Sequence, residues 1–416
     1  MEMPSQWPPT TFPWVMSQVN RKKAGDPFEG FLGDLDSSIE RNEAAVTGAT
    51  QFARARQEWN DAIAQEQMCI PIERLLSEKY FWGTENIWPA VREEIEEIWH
   101  ARCDFDVCLL RGEEILKRET IYALSYDHAD QIARERWPRL AEDSDKIFIR
   151  RDRDLHSVII ETPKGTGKDY EAAMIVALIV REYLIQPRED LRRLYNVDPT
   201  TTISINLMNR SEDQAKKVTF TEVLKRVNND FFQDYFPAQV SLADIESSGR
   251  MPQDLKFPKN VVVFPGTGSA STGLGYSLGA EIIDECNFMQ ISDTSSKSIF
   301  SGQDYDAAEE AYDDAIVRHR SRFGTFRNGV PVCAGLIVAI SSTRLTTDFT
   351  QRMRVRAQND TGIFYSSSAF WHRKPVPLSG QTFQFDLGNL QIIDLEGAKL
   401  KHASVKKLPT ADLEAA

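Results

Sequence analysis

The segment Ser157-Val-Ile-Ile-Glu-Thr-Pro-Lys-Gly-Thr-Gly-Lys-Asp169 decides the fold, together with the apolar stretch that follows it. Val158, Ile159 and Ile160 predict a short buried strand, and the proline and glycines after them predict a turn. The stretch from Tyr170 to Ile185 is apolar nearly all round, which predicts a helix buried against a sheet. A strand, a glycine turn and a helix N-terminus form an anion site, because backbone N–H groups and the helix dipole both favour negative charge.

The turn matches a nucleotide phosphate-binding loop only in part. Thr162 stands where the first glycine of such a loop is usual, and Asp169 stands where a hydroxyl is expected after the lysine. A Gly-Lys pair after a turn, taken alone, is also typical of a surface loop. The predicted nucleotide-binding residues, which we call the phosphate loop, are Thr162, Pro163, Lys164, Gly165, Thr166, Gly167, Lys168 and Asp169.

The composition is that of an ordinary globular protein. The 416 residues are 41% hydrophobic and 27% charged, enough for two or three domains. Five scattered cysteines predict neither a disulfide framework nor a metal site, and favour a reducing compartment. The first residues lack the layout of a signal peptide, and no apolar run predicts a membrane span. A net charge of −13 means that any contact with nucleic acid is made by a local patch.

Three regions are predicted along the chain: a mainly helical region over residues 1–140, a core with the phosphate loop over 141–361, and a strand-rich segment over 362–416. The first region carries no motif that indicates chemistry. Its acidic run, Glu93-Glu94-Ile95-Glu96-Glu97, is interpreted as a solvated helix face rather than a metal site. The elements predicted there are helices over Gln51–Gln67, Ile87–Arg102 and Arg118–Trp137, and a strand over Asp104–Leu110.

From about residue 147, strands alternate with helices, which predicts an α/β fold with a mostly parallel sheet flanked by helices. Thr202–Met208 predicts a strand, and Ser211 with Gln214 predicts a capping box that starts the next helix. Asn260–Phe264 predicts a further strand. The Gly/Ser-rich run Pro265–Gly275 after it has no lysine, so it is interpreted as a substrate-contacting or merely flexible loop.

The second decisive stretch is Ala280-Glu-Ile-Ile-Asp-Glu-Cys286, an apolar strand that ends in two acids. At the end of a parallel strand, Asp284 is predicted to hold Mg²⁺ directly or through water, and Glu285 to polarise an attacking water. A strand can also end in two acids without any function. The preceding Gly-Lys loop in the same alternating pattern favours the functional interpretation. We call these two residues the Asp-Glu pair.

A third strand, Gly335–Ile340, ends in Ser341, Ser342 and Thr343, which we call the coupling segment. Hydroxyl groups at this strand end would lie beside the γ-phosphate of a bound nucleotide. Serine and threonine also end many strands that bind nothing, so this signal is weak without the other two.

The order of these motifs resembles the ATPase of tailed-bacteriophage terminase large subunits. The quoted runs are Lys164-Gly-Thr-Gly-Lys-Asp169, Asn209-Arg-Ser-Glu-Asp-Gln-Ala-Lys216, Ile282-Ile-Asp-Glu285 and Ile340-Ser-Ser-Thr343. The resemblance covers about residues 145–380 and implies a RecA-like P-loop NTPase that hydrolyses ATP with Mg²⁺. By that likeness Lys168 binds the β- and γ-phosphates, Asp284 and Asp169 hold the metal, and Glu285 is the catalytic carboxylate. The coupling segment matches the motif that links hydrolysis to movement.

The resemblance further implies double-stranded DNA as the substrate that is moved into a procapsid. The partners implied are a portal protein and a small terminase subunit, with a homo-oligomeric ring when active and a monomer in isolation. The location implied is the bacterial host cytoplasm, transiently at the portal. The segment after the coupling motif is too short for the usual nuclease domain. Nuclease activity is therefore not expected, and the chain is interpreted as a truncated motor or as one whose nuclease lies elsewhere.

Lys164 lies where many terminases carry an arginine, and lysine lacks the guanidinium fork. The missing arginine is therefore expected from a neighbouring subunit, with activity that rises with protein concentration. Surface charge on a solvated face is the alternative interpretation for each candidate, as it is for the arginines at 352, 354 and 356. The candidates for this arginine or for DNA contact are Arg250, Arg318, Arg320 and Arg322.

Two other functions stay open from the sequence. A helicase-like DNA translocase or remodeller would use the same fold and the same motifs. A nucleotide-dependent binding scaffold without turnover is the rival from another class, and Asp169 in place of a hydroxyl is the residue that favours it. Measured ATP turnover separates the scaffold from both motors.

Overall fold

The computed structural model describes residues 70–83, 86–137, 145–151, 153–186, 201–238, 252–267, 277–289, 291–292, 305–327, 330–333, 335–374, 384–386 and 391–393. The helices are α1 (Ile72–Ser77), α2 (Pro89–Cys103), α3 (Tyr126–Arg136), α4 (Lys168–Ile185), α5 (Glu212–Ala215), α6 (Thr221–Arg226), α7 (Asp230–Tyr235), α8 (Ala307–Phe323), α9 (Phe349–Ala357) and α10 (Phe370–Arg373). A π-helical turn, Lys216–Phe220, joins α5 to α6.

The strands of the central sheet are β4 (Ser157–Glu161), β5 (Ile203–Asn209), β6 (Leu255–Phe257), β7 (Val261–Thr267), β8 (Ser277–Asp284), β13 (Leu336–Ser341) and β14 (Ile363–Ser367). The strands outside it are β1 (Asp104–Arg111), β2 (Glu114–Tyr122), β3 (Asp145–Arg150), β9 (Ile291–Ser292), β10 (Tyr305–Asp306), β11 (Gly324–Arg327), β12 (Val330–Cys333), β15 (Gln384–Asp386) and β16 (Gln391–Ile393).

The central sheet has seven strands in the order β14-β4-β13-β8-β5-β7-β6. Every neighbouring pair is parallel except β6 with β7, which is antiparallel. β13 lies between β4 and β8, and its Ile340 is in register with both Ile160 and Asp284. β4, β8 and β13 are therefore adjacent at their carboxyl ends, where the loops that follow them meet.

Helices cover both faces of this sheet, as predicted for an α/β fold with a mostly parallel sheet. Alternate residues of β4 face opposite layers: Val158 and Ile160 pack with α4, whereas Ile159 packs with α8 and α9. Strands buried on both faces need continuous apolar sequence, which explains the runs that predicted them. α4 is apolar nearly all round because α6, the π-helical turn before it and α2 pack on the side that the sheet leaves uncovered.

α2 is fixed to α4 by charge as well as by apolar contact. Arg102 donates two hydrogen bonds to Glu182, each 3.0 Å long, and both side chains are buried. Such a two-point geometry fixes the orientation of one helix on the other. α2 therefore belongs to the layer that covers α4, the helix that follows the phosphate loop.

A second, antiparallel sheet in the order β2-β1-β3 precedes the central sheet and packs against α3. The boundary predicted at residue 140 falls inside this sheet, because β3 pairs with β1. The boundary predicted at residue 361 falls directly before β14, which pairs with β4 in the central sheet. The functional division of the chain into three regions stays a prediction.

The helix predicted over Arg118–Trp137 is wrong in its first part. β2 continues to Tyr122, and α3 begins only at Tyr126, after Ser125 accepts a hydrogen bond from the His128 N–H as its N-cap. The helix predicted over Ile87–Arg102 is confirmed as α2, and the strand over Asp104–Leu110 as β1. The helix predicted over Gln51–Gln67 lies outside the described residues.

The predicted acidic face of α2 is wrong at one position. Glu93 and Glu97 are exposed, but Glu94 is buried and pairs with Arg373, which sequence distance alone could not reveal. The N-cap of α5 is confirmed, since the Ser211 hydroxyl accepts from the Gln214 N–H at 3.3 Å. Most of the predicted Gly/Ser-rich loop, residues 268–275, lies outside the described ranges. Within those ranges, none of the helices has the length and apolar character needed to cross a membrane.

Candidate nucleotide-binding site

The phosphate loop joins β4 to α4 and is bent by two glycines with left-handed backbone conformations. Gly165 has φ 77° and Gly167 has φ 83°, angles that only glycine adopts without strain. The buried Thr166 hydroxyl donates to the Pro163 carbonyl oxygen at 2.6 Å and tightens the turn. Lys168 is the first residue of α4, so the helix N-terminus and its unpaired N–H groups lie at the loop. The loop therefore has the backbone features of an anion site.

Lys168 brings the three predicted motifs together. Its Nζ lies 3.2 Å from Glu285 Oε1 and donates to Ser342 Oγ at 3.1 Å. The lysine side chain is 7% exposed, so its charge is held at the carboxyl edge of the central sheet rather than in solvent. The phosphate loop, the Asp-Glu pair and the coupling segment thus meet around one ammonium group.

Asp284 is the most buried charged group of this edge. Its Oδ2 accepts from Asn209 Nδ2 at 3.0 Å and from Thr219 Oγ1 at 2.7 Å. Its Oδ1 is also buried, and it has no hydrogen-bond partner in the structure. Burial raises the pKa of Asp284 to about 7, against the hydrogen bond from Thr219, which lowers it. A cation beside Oδ1 would satisfy the oxygen and stabilise the charged form.

The donors at this edge fit Mg²⁺, which prefers oxygen ligands and usually binds through one or two carboxylates, phosphates and water. Asp169, in the first turn of α4, lies close enough for its charge to raise the pKa of Asp284. Burial in turn raises the pKa of Asp169, while Lys168 lowers it. Across the described ranges, no three His, Cys, Asp or Glu side chains gather into a metal cluster. A cation here would therefore depend on nucleotide phosphates and water for most of its ligands.

Glu285 follows β8 in a left-handed conformation, with φ 54° and ψ 37°. This conformation costs a non-glycine residue on the order of 1 kcal/mol, and such strain is concentrated at functional sites. The Glu285 N–H donates to the Ile340 carbonyl oxygen at 2.8 Å, which holds the turn against β13. Its side chain is 28% exposed, and Oε2 has no hydrogen-bond partner in the structure. One carboxylate oxygen is thus paired with Lys168, and the other is open to a ligand.

Asn287 connects the turn after β8 to the coupling segment and to α9. Its N–H donates to Ser341 Oγ at 3.1 Å, and its Nδ2 donates to the Ser342 carbonyl oxygen at 3.0 Å. The same Nδ2 lies 2.8 Å from Thr350 Oγ1, and Oδ1 accepts from the Thr350 N–H at 3.1 Å. Ser342 is therefore connected to the first turn of α9 through one buried amide.

Glu161, the last residue of β4, collects hydrogen bonds from three segments. Its carboxylate accepts from Thr343 Oγ1, from Gln351 Nε2 at 2.6 and 2.8 Å, and from the Tyr365 hydroxyl at 3.1 Å. Thr343 belongs to the coupling segment, Gln351 to α9 and Tyr365 to β14. The strand that leads into the phosphate loop is therefore tied to the elements on both sides of it.

Several residues of the network were given no role by the sequence. Asn209 and Asn287 had a usable signal, because Asn209 directly follows an apolar run and opens one of the quoted motifs, and Asn287 lies two residues after Glu285. Glu161 had the same signal at the end of β4. Thr219 had none, since its contact with Asp284 depends on the π-helical turn before α6.

Arg318 lies between two carboxylates. Its Nη1 is 3.7 Å from the buried Glu281 Oε1, and its Nη2 is 3.7 Å from Asp314 Oδ2. The side chain is 15% exposed. This arginine therefore ties α8 to β8.

The other arginine candidates are placed differently. Arg322 donates to Ser277 Oγ at 3.0 Å, whereas Arg320 is exposed. Arg250 lies outside the described residues. On α9, Arg352 pairs with Asp306, and the exposed Arg356 also pairs with a carboxylate of α8. Their roles in catalysis or DNA contact stay predictions.

Lys164, at the tip of the phosphate loop, is exposed. Among the described residues it contacts an aromatic ring rather than the charged groups at the carboxyl edge of the sheet. Its Nζ lies 4.8 Å from the centre of the Phe288 ring. Phe288 closes the short turn after the Asp-Glu pair. The loop tip is thus held against that turn by a cation–π contact.

A phosphate loop at a helix N-terminus, an Asp-Glu pair two strands away and a polar segment on the strand between them define a RecA-like P-loop NTPase domain. The chain belongs to the family described as "Uncharacterized protein MJ0330, N-terminal P-loop domain", whose model matches residues 125–388. The match includes the phosphate loop, the Asp-Glu pair and the coupling segment. A search of curated protein sequences found no match to this chain.

Solved structures similar to the chain are large terminases of bacteriophages. The HK97 large terminase is 17% identical at a TM-score of 0.31, covering 52% of this chain and 36% of that one. The Thermus phage P74-26 large terminase ATPase domain is 13% identical at a TM-score of 0.27, covering 54% and 80%. A thermophilic-bacteriophage large terminase in complex with ATP-gamma-S is 9% identical at a TM-score of 0.32, covering 54% and 42%.

The chain spans roughly two fifths of the length of the large terminases that it matches first. At these identities and TM-scores, no functional argument rests on the likeness.

Proposed function

We propose that this chain hydrolyses ATP with Mg²⁺ and uses the energy to move double-stranded DNA into a procapsid, as the ATPase part of a terminase large subunit. The observation that carries the ATPase proposal is the position of Lys168 Nζ, 3.2 Å from Glu285 and 3.1 Å from Ser342. A loop lysine in contact with both a carboxylate and a strand-end hydroxyl is placed to exchange them for phosphate oxygens.

Nucleotide binding would release Glu285 for chemistry. The β- and γ-phosphates would compete for the Lys168 ammonium, which is paired with Glu285 Oε1. Mg²⁺, held by Asp284 and Asp169, would supply positive charge to the phosphates. Glu285 would then be free to accept a proton from a water whose oxygen bonds to the γ-phosphorus. The bond from that phosphorus to the β–γ bridging oxygen breaks, and ADP and inorganic phosphate leave.

The coupling segment would report the loss of the γ-phosphate. Ser342 contacts Lys168 through its hydroxyl and Asn287 through its carbonyl oxygen. Asn287 also bonds Thr350 at the start of α9. A shift at the phosphate would therefore reach α9 through a path in which every side chain is buried.

DNA packaging is proposed from the order of the motifs. With a net charge of −13, the chain would contact DNA through a local patch, mainly at phosphates, because a packaging motor tolerates no sequence preference. Arg320 on α8 and Arg354 on α9 are exposed and suit such contacts. The partners proposed are a portal protein and a small terminase subunit, in a ring that forms in the bacterial host cytoplasm.

ATP turnover by the purified chain tests the proposal. Lys168→Ala should abolish turnover and weaken nucleotide binding, because the phosphate-binding charge is gone. Glu285→Gln should keep ADP and ATP binding, since the lysine and the metal carboxylate remain, but should lower kcat by about 10²-fold or more, as expected for loss of a proton acceptor. Isothermal titration and a phosphate-release assay measure the two quantities. Equal kcat in Glu285→Gln and the parent would refute the assignment.

A second assay separates the packaging motor from a helicase-like translocase. A packaging ATPase should displace a triplex-forming third strand from intact duplex without separating the two strands of the duplex. Unwinding of a forked duplex by the chain, dependent on ATP, would replace the packaging proposal with the helicase.

A further inference from the structure

The site described so far lacks the guanidinium group that phosphoryl transfer commonly uses. An arginine that contacts the transferred phosphoryl group increases the rate by about 10³–10⁵-fold where such an effect has been measured. In the phosphate loop the corresponding side chain is Lys164, a point charge without a planar fork of donors. The structure contains an arginine at the same edge that no motif had singled out.

Arg344 directly follows the coupling segment and borders the same aromatic ring as Lys164. Its Cζ lies 4.9 Å from the centre of the Phe288 ring, and Lys164 Nζ lies 4.8 Å from that centre. The ring belongs to the turn that begins with Glu285. Two residues before Arg344, Ser342 accepts the hydrogen bond from Lys168. The guanidinium is therefore placed among the phosphate loop, the Asp-Glu pair and the coupling segment.

The backbone of Arg344 is fixed, whereas its side chain is held loosely. The N–H groups of Arg344 and Leu345 both donate to Asp348 Oδ2, at 2.7 and 2.8 Å. The guanidinium is 38% exposed, and its carboxylate contact is a long one of 3.8 Å to Asp348 Oδ1. Arg352, by comparison, lies 2.5 Å from Asp306 and 3.1 Å from Glu309. A phosphate oxygen would therefore compete for Arg344 at lower cost than for an arginine in a close ion pair.

We propose that Arg344 is the arginine that contacts the γ-phosphoryl oxygens, acting on the nucleotide bound by its own subunit. The inference rests on the proposed ATP hydrolysis. Before nucleotide binds, Phe288 holds Arg344 and Lys164 through cation–π contacts at the surface. When ATP binds, Arg344 and Lys164 both move from the Phe288 ring to the oxygens of the γ-phosphate.

The role follows from where charge develops during hydrolysis. As the water oxygen bonds to the γ-phosphorus and the bond to the bridging oxygen breaks, negative charge spreads over the equatorial and leaving oxygens. A guanidinium offers paired donors to two such oxygens at once, which an ammonium does not. Lys164 therefore contributes to binding, and Arg344 contributes to the transition state.

The test compares Arg344→Ala and Arg344→Lys with the parent in the absence of DNA. Arg344→Ala should lower kcat by about 10³-fold, with less than threefold change in KM and in ADP affinity. Arg344→Lys should keep the charge but recover only a small part of kcat. Affinity for ADP with fluoroaluminate, which imitates the transferred phosphoryl group, should fall far more than affinity for ADP alone. Arg134→Ala, which removes an exposed arginine on α3, is the matched control and should change none of these.

Mixing two inactive variants decides which subunit Arg344 serves. Lys168→Ala has an intact Arg344 but no working phosphate loop, and Arg344→Ala has the reverse. If Arg344 acts within its own subunit, the mixture stays as slow as its components at every protein concentration. Recovery of turnover on mixing would overturn the proposal and assign the arginine to a neighbouring subunit.

Two other results would also overturn the proposal. An Arg344→Ala variant with the kcat of the parent removes the arginine from the reaction, and a loss seen only with DNA present makes it a DNA contact. A parent chain that neither binds nor hydrolyses ATP refutes the proposed function instead, so the two failures are distinguishable.

Discussion

Two regions along α4 bury charged groups, and they differ in how those charges are arranged. At the start of the helix, Lys168 is shared between Glu285 and Ser342, and the buried Asp284 nearby keeps an oxygen without a partner. One turn further, α4 contributes to what we call the arginine cluster. There Arg373 donates to Glu94 and Glu171, and its Nε donates to Ser368 Oγ at 2.6 Å.

The arginine cluster connects three segments of the structure. Glu94 comes from α2, Glu171 from α4 and Arg373 from α10, so three segments distant in sequence meet at one guanidinium. Burial raises the pKa of Glu171 well above its ordinary value. The two carboxyl groups share one buried guanidinium, and one oxygen of each, Glu94 Oε1 and Glu171 Oε1, has no hydrogen-bond partner in the structure. At the nucleotide edge, by contrast, three acids lie near one ammonium group: Asp284 and Glu285 at the end of β8 and Asp169 on α4, and the charges of Asp169 and Glu285 both raise the pKa of Asp284.

The comparison shows that the role of a buried charge is indicated by its partners and not by its burial alone. Charges paired across distant segments hold those segments together, whereas we infer that the acids gathered around one lysine at the sheet edge serve a ligand, at some cost in stability. Variants that remove one charge from each region should therefore separate loss of stability from loss of activity.

The largest effect on stability is expected for Arg373→Met. Removing the guanidinium leaves two buried carboxyl groups without their cation, which costs about 3–5 kcal/mol in the free energy of unfolding. Urea denaturation followed by circular dichroism measures the change. Arg134→Ala is the control, because its partner Asp130 forms an exposed pair worth about 1 kcal/mol or less.

A combined variant shows whether the loss comes from unpaired charge or from shape. Adding Glu94→Leu and Glu171→Leu to Arg373→Met removes every charge of the cluster, and most of the lost stability should return. If Arg373→Met alone costs less than about 1 kcal/mol, the cluster does not hold the three segments together.

The sequence predicts the nucleotide edge far better than it predicts the arginine cluster, for a physical reason. β4, β8 and β13 are buried on both faces, so each appears as a continuous apolar run, and the polar residues that end them must meet at one edge. Neither the depth of Asp284 nor the strained turn at Glu285 is visible in that pattern. Both depend on the register of three strands that are far apart in the chain.

Glu94 shows where sequence patterns stop being informative. It lies in a run of four glutamates on α2, and such a run is typical of a solvated face. The helical spacing places Glu94 on the same face as Val91 and Ile98, unlike the exposed Glu93 and Glu97. Its partner Arg373 is 279 residues away, so no local pattern identifies that partner. The sequence did not identify Arg344 for a related reason: Arg344 and Lys164 are far apart in the chain, and both contact the ring of Phe288 only in the folded structure.

Glu281 provides an intermediate case, a buried carboxylate with a cation that is not close. Asn206 Nδ2 donates to it at 3.2 Å, and Arg318 lies at 3.7 Å. Burial raises the pKa of Glu281 to about 7 from 4.5, while Arg318 and Asn206 lower it. The folded chain therefore holds this proton at pH values where the unfolded chain has lost it, so stability from this group falls as pH rises from about 4.5 to 7.

Glu281→Gln should remove that dependence. The variant should gain up to about 3 kcal/mol on the parent at pH 8, since a pKa difference of one unit corresponds to about 1.4 kcal/mol. The gain should shrink toward zero at pH 5, where the parent carboxyl is neutral. Urea midpoints at several pH values between 5 and 8 measure it. The same pH slope in both proteins would show that Arg318 keeps Glu281 charged throughout.

The smallest effect on stability, and a large one on activity, is expected for Asp284→Asn. The amide oxygen can still accept from Asn209 Nδ2 and Thr219 Oγ1, and the charge lost is one that burial disfavours. The free energy of unfolding should therefore change by less than about 1 kcal/mol in either direction. ATP turnover should fall below detection, because the oxygen that has no partner in the fold no longer carries the charge that Mg²⁺ needs.

Measured side by side, Glu285→Gln should lose turnover while keeping Mg²⁺-dependent nucleotide affinity, whereas Asp284→Asn should lose the Mg²⁺ dependence itself. Titration of ADP with and without Mg²⁺ distinguishes the two. If Asp284→Asn instead costs about 3 kcal/mol or more and still hydrolyses ATP, its carboxylate is a structural partner of Asn209 and Thr219. Asp284 would then have a structural role, like the charges of the arginine cluster, and the functional difference inferred between the two regions along α4 would be wrong.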